Sequence, residues 1–169
     1  MQLTRFIFFI LCFIAHITII QAAPITAYLP IEHAYKSDIP TPESILGFGI
    51  GERHVRHDQL LNYMQAIAEQ SPRIKLTEIG KTKQLRKQII LTISSPENLH
   101  NLDNILARRA LNSQDEDDVN NSEDPLIVWL GYSVHGDEIS GANAAMIIAY
   151  HLAASQEQNV EELLANTII

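Results

Sequence analysis

The sequence predicts an α/β domain with a mixed sheet, and three stretches carry that expectation. Residues 58–70 place Leu60, Leu61, Met64, Ile67 and Ala68 on one face at helical spacing. Residues 74–79 and 88–94 read as two strands joined through Gly80-Lys81-Thr82. The apolar run Leu126-Ile127-Val128-Trp129-Leu130 then reads as a buried strand that passes through a glycine-bearing turn into residues 140–155. That last stretch is apolar nearly all round, so as a helix it must be buried. Helix, strand, strand, long insertion, strand, helix implies layers of helix on sheet, with the first strand pair antiparallel and the later connection a helical crossover.

Ahead of these elements, residues 1–5 carry one positive charge, and residues 6–20 are almost entirely apolar before Gln21-Ala22-Ala23-Pro24. The apolar run is shorter than the roughly 20 residues that span a bilayer, so residues 1–23 read as a signal peptide cut after Ala22 or Ala23. An uncleaved anchor is the alternative. Cleavage implies a secreted or periplasmic product with no stable membrane association. His16 is tolerable in the apolar run as a neutral imidazole. The single cysteine, Cys12, falls inside the leader, so the mature chain has neither disulfides nor thiol metal ligands. A formal net charge of −8 disfavours nucleic acid or anionic membranes as partners.

Residues 24–57 form a lead-in expected to be extended, because Pro30, Pro40 and Pro42 interrupt regular structure. His54 and His57 have metal-pair spacing, but the interleaved Arg53 and Arg56 would repel a dication, so they read as a solvated approach to the next helix. Asp58 is the expected N-cap of that helix and Ser71-Pro72 its end. In the second strand, Ile89-Ile90-Leu91-Thr92-Ile93 suits burial on both faces. Gly80-Lys81-Thr82 has the ending of a phosphate-binding loop but lacks its preceding glycine, which excludes a nucleotide site.

Residues 96–125 are polar apart from Leu99, Leu102, Ile105 and Leu106. The acidic run Asp115-Glu116-Asp117-Asp118, with Glu123 and Asp124, lacks the mid-loop glycine and alternating ligands of a calcium loop. Residues 112–124 therefore read as a solvated surface insertion. Asn120-Asn121-Ser122 is a glycosylation sequon where the host glycosylates. Tyr150 and His151, some three turns along the last helix, read as packing residues.

The chemistry concentrates in Ser133-Val134-His135-Gly136-Asp137-Glu138. Imidazole nitrogen and carboxylate oxygen are both good zinc ligands, and a strand-to-helix turn can aim the side chains of His135 and Glu138 at one point. Gly136 is expected to keep that turn free of Cβ crowding. The competing reading is a helix-end carboxylate complementing the dipole beside a hydrogen-bonded loop histidine.

Extended to Ile139-Ser140-Gly141, this stretch resembles the His-Gly-x-Glu segment of the zinc carboxypeptidases, the carboxypeptidase A and B-like metallopeptidases. The resemblance implies that His135 and Glu138 are the first two ligands of one catalytic zinc ion. The activity it implies is peptide-bond hydrolysis by zinc-activated water, on peptide or protein substrates. Gly80-Lys81-Thr82 is similar to the family's Gly-x-Thr turn, whereas Lys83-Gln84-Leu85-Arg86-Lys87 departs from the acidic and glycine residues that often follow it. The implied architecture over residues 58–169 is the family's mixed-sheet, phosphorylase/hydrolase-like sandwich.

Thr167-Ile168-Ile169 has the composition of a strand's first residues, and strands average roughly 5–6 residues. The family's third zinc ligand, its general-base glutamate and its substrate-binding Asn and Arg residues have no counterpart here. The expectation is therefore the N-terminal part of a catalytic domain, with an incomplete sheet, an unprotected edge and no activity alone. The second class of function is a non-catalytic exported α/β binding or structural domain in which His135 and Glu138 are structural.

Overall fold

The computed structural model describes residues 23–112 and 124–169. The leader with Cys12, the acidic run at residues 115–118, the sequon and Glu123 lie outside the described residues. A short 3-10 turn at Ile25–Ala27 and helix α1 (Pro42–Leu46) precede helix α2 (His57–Gln70). Strands β1 (Ile74–Lys81) and β2 (Lys87–Ile93) follow, then helices α3 (Pro96–His100) and α4 (Leu102–Asn112). Strand β3 (Leu126–Ile127), helices α5 (Ile139–Ala154) and α6 (Gln158–Asn166) and strand β4 (Thr167–Ile168) complete the order. The α/β architecture is as expected. Among the described residues no helix is long and apolar enough to cross a membrane.

The sheet is mixed. β1 and β2 pair antiparallel from Ile74 opposite Ile93 to Lys81 opposite Lys87, and β3 pairs parallel with β4. Ile93 and Ile169 exchange both backbone hydrogen bonds, at 2.8 and 2.9 Å, as a hydrogen-bonded antiparallel pair does. The Val128 N–H donates to Ile168 O at 2.8 Å. Through Ile169, directly after it, β4 therefore lies between β2 and β3 and joins the hairpin to the strand that feeds the His135–Glu138 turn.

Several expectations need correction. The lead-in is not simply extended: Thr41 caps α1, with Pro42 in the first turn where its missing N–H costs nothing, and Ile25, Leu29, Ile39 and Ile50 are buried in the main core. Helix α2 starts two residues earlier than expected, with Arg56 and not Asp58 at its N-cap. Asp58 takes both ends of the Arg56 guanidinium, at 3.0 and 2.8 Å, and this contact holds its carboxyl below the usual carboxylate range. The helix start is closed instead by Gln59, whose Oε1 accepts the Arg56 N–H at 3.1 Å.

Gly80-Lys81-Thr82 is not the hairpin turn either. The register slips between Glu78 and Gly80, and Gly80 has φ +149°, which places a glycine-dependent bulge inside β1. The turn is displaced to residues 82–86, where the Thr82 N–H donates to Arg86 O and the Arg86 N–H to Thr82 Oγ1, at 2.9 and 3.2 Å.

The apolar run into the metal turn is not buried. Only Leu126–Ile127 form a ladder, and the run lies on an outer edge of the sheet with Trp129 76 % exposed. Apolar composition records what a strand would bury, whereas burial needs a neighbour, and among the described residues none covers this edge. An apolar concavity of about 310 Å³ opens there, lined by Leu91, Leu106, Trp129, Tyr132 and Ile148. In β2 the central residues are half-buried and Ile93 fully buried.

The core lies where α2 and α5 cross the hairpin. Tyr63, Ile67 and Met146 are wholly buried there among Ile74, Ile93 and Leu152. α5 is buried mainly in its C-terminal half, Met146 to Ala154, while Ile139 and Ile148 are exposed. The buried Arg73 guanidinium donates to Leu152 O at 3.3 Å and Ser155 O at 2.7 Å, and reaches Glu161 at 3.0 Å. A cation on the last carbonyls of α5 satisfies acceptors that the helix cannot, and complements its dipole. Asn98 ties α3 to the end of α6 by donating to Leu164 O and Ala165 O at 3.1 and 2.9 Å.

Residues 33–36 strap the same end of α5. The Lys36 N–H donates to Ala154 O and the Gln156 N–H to Ala34 O, at 2.8 and 2.9 Å. The His33 ring stacks on His151 with centroids 5.6 Å apart, and the Tyr35 hydroxyl lies 2.9 Å from His151 Nδ1. Burial, with the nearby His33, holds the pKa of His151 below its ordinary value. The unfolded chain therefore takes up a proton near pH 6.5 that the folded chain resists. Stability contributed here is complete above about pH 6.5 and falls as pH drops through the folded pKa. Thermal melting from pH 7.5 to 5 should show falling stability on the acid side and a shallower slope in His151→Gln; an unchanged slope in that variant would remove His151 as the cause.

Candidate metal centre

After Val128 the chain leaves the sheet edge and turns back over the start of α5. Ser133 adopts a left-handed backbone at φ +51°, and its Oγ donates to Glu138 O at 2.9 Å. The Glu138 N–H donates to His135 O at 3.1 Å, closing the short turn that holds the two candidate ligands. Glu138 is the residue preceding α5, with φ −85° and ψ 76°, and its side chain makes no cap hydrogen bond.

The carboxylate points back along the loop, where Oε1 lies 2.8 Å from His135 Nδ1. The sequence-predicted pair is thus brought together. Both side chains are well exposed, 72 % for His135 and 53 % for Glu138. An exposed polar contact of this kind contributes at most about 1 kcal/mol to stability, so fold stability alone gives little reason for it.

The donor atoms suit zinc chemically, one imidazole nitrogen and one carboxylate oxygen. Tetrahedral ligands at about 2.0–2.1 Å from zinc lie about 3.3 Å apart. The 2.8 Å separation would need to open by about half an ångström to admit the ion, within reach of exposed side-chain rotations. The pair fits two corners of a zinc site. Among the described residues no group of three or more His, Cys, Asp or Glu side chains is placed to hold a metal. His54 and His57 therefore do not join the pair, nor does Asp137.

Gly136 is not where the turn is crowded. A Cβ there would meet nothing within 4 Å, whereas one on Gly141 would lie 2.6 Å from Ser133 Oγ and 2.7 Å from its backbone nitrogen. The loop crosses the first turn of α5 at a distance that only glycine permits. Asn143 adds a weaker tie, accepting from the Gly51 N–H at 3.4 Å and donating to Ile139 O at 3.3 Å. Neither role was legible from the sequence, although small residues after the His-x-x-Glu spacing were its outward sign.

The sequence profile of the zinc carboxypeptidases matches residues 60–169, from the first turn of α2 through both candidate ligands to β4. The chain belongs to the zinc carboxypeptidase family. No curated protein and no solved structure matches it. The zinc carboxypeptidases are zinc-dependent, and the matched stretch includes His135 and Glu138. The apolar concavity beside Trp129 is not that site, because neither His135 nor Glu138 lines it.

Proposed function

We propose that this chain carries part of the zinc centre of an exported metallocarboxypeptidase-type peptidase acting on peptides or proteins, in a sandwich of the phosphorylase/hydrolase-like kind. The observation that carries the reading is the convergence of His135 Nδ1 and Glu138 Oε1 in a tightly built turn, within the stretch matching the family. One zinc ion would be held by these two atoms, and zinc when bound would polarise a carbonyl and lower the pKa of water to about 7. The chain's own part is to keep the two donors on one side of a turn fixed between the edge strand and α5.

Hydrolysis also needs a proton acceptor within hydrogen-bond reach and donors for the developing oxyanion. No described residue meets these needs beside His135 and Glu138. A non-catalytic exported binding or structural domain is therefore the second reading, favoured by the absence of a third donor among the described residues.

Three measurements test the proposal. Calorimetry on the purified protein should show modest zinc affinity that disappears in His135→Ala, with no release of a C-terminal residue from blocked dipeptides. Zinc binding unchanged by that substitution would remove the pair from the site, and chelator-sensitive turnover abolished by Glu138→Ala would show that the chain contains a base. For export, mass spectrometry of the secreted or periplasmic product should find Ala23 or Pro24 at its start. An intact Met1 in the membrane fraction would instead support an anchor.

A further inference from the structure

The loop bearing the two ligands is held by a contact that metal ligation by itself does not explain. Ser133 keeps its backbone at φ +51°, where glycine is at ease and an L-residue is strained. Backbone preference alone would place glycine here. The serine side chain is engaged instead: its Oγ donates to the carbonyl of Glu138 at 2.9 Å. Room for it comes from Gly141, whose missing Cβ would otherwise stand 2.6 Å from that Oγ.

Glu138 is consequently held from both backbone ends. Its N–H donates to His135 O at 3.1 Å, and its carbonyl accepts from Ser133 Oγ and, at 3.3 Å, from the Gly141 N–H. Fixing both peptide groups fixes the direction of the Cα–Cβ bond, and the carboxylate then reaches back to His135 Nδ1. The first turn of α5 holds only the Glu138 carbonyl, through Gly141, and the carboxylate itself makes no cap bond to the helix.

We propose that Ser133 is a positioning residue for the ligand pair, its hydroxyl on the Glu138 carbonyl setting the carboxylate and His135 Nδ1 toward one ion. The proposal rests on the zinc reading above. Groups that orient metal ligands typically change metal affinity by about 10–100-fold when removed. An exposed loop places Ser133 at the low end, about tenfold.

Glycine separates a positioning role from a structural one, since Ser133→Gly relieves the backbone while removing the CH2OH group and with it the contact to Glu138. The expected result in the purified protein is a melting temperature unchanged or raised without metal, together with zinc affinity about tenfold weaker. Gly141→Ala, which forces Ser133 aside with its hydroxyl intact, should weaken zinc in the same way. Parental zinc affinity in Ser133→Gly would overturn the proposal, as would a melting temperature that falls in step with the affinity. His135→Ala serves as the control: if it leaves zinc binding intact, the zinc reading itself fails, whereas if it abolishes binding while Ser133→Gly does not weaken it, only the role of Ser133 fails.

Discussion

The insertion of β4 between β2 and β3 is the constraint on which the rest of the structure depends. Thr167–Ile168 accept β3 on one side, and Ile169 exchanges two hydrogen bonds with Ile93 on the other. Each such bond contributes only about 1 kcal/mol net, yet together they decide where the strand leading to the metal turn lies. Residues far apart in sequence meet through them. Around this junction the Arg73 guanidinium closes the end of α5, and Asn98 closes the end of α6.

Those polar closures explain why the junction tolerates burial. Ser94 is fully buried, with its hydroxyl 2.6 Å from Thr167 O and 3.0 Å from Leu164 O, and Arg73 is only 5 % exposed. A charge or hydroxyl removed from water is costly unless it is hydrogen-bonded. Here each polar group meets carbonyls that a helix end leaves without partners. The same logic operates in the open at the metal turn, where Ser133 satisfies the carbonyl of Glu138. There the result is an oriented carboxylate on the surface.

What the sequence made legible followed from periodicity. The apolar face of α2 was visible from helical spacing, whereas β2 and α5 were visible as continuous apolar runs. Choices among competing local partners were not visible. Asp58 and Gln59 both suit a helix start, and Arg56 decides between them by engaging the Asp58 carboxylate. Gly80 signals irregular backbone equally well as a turn or as a bulge, and only the register with β2 selects the bulge. Composition marks Trp129 and Leu126 for burial but cannot report whether a neighbour is present, and both are exposed. The convergence of His135 and Glu138 was legible from spacing and residue type. The glycine that matters was not, because Gly136 lies between the ligands while Gly141 admits Ser133 from across the turn.

The central claim is that His135 and Glu138 face a single zinc ion. Nitrogen-15 NMR of the imidazoles during a zinc titration addresses it most directly, since the protein has seven histidines and each nitrogen reports its own ligation. The account predicts that the His135 Nδ1 resonance moves to a metal-bound position while His33, His54, His57, His100 and His151 keep their shifts. Movement centred on His54 and His57, or none at His135, would contradict it.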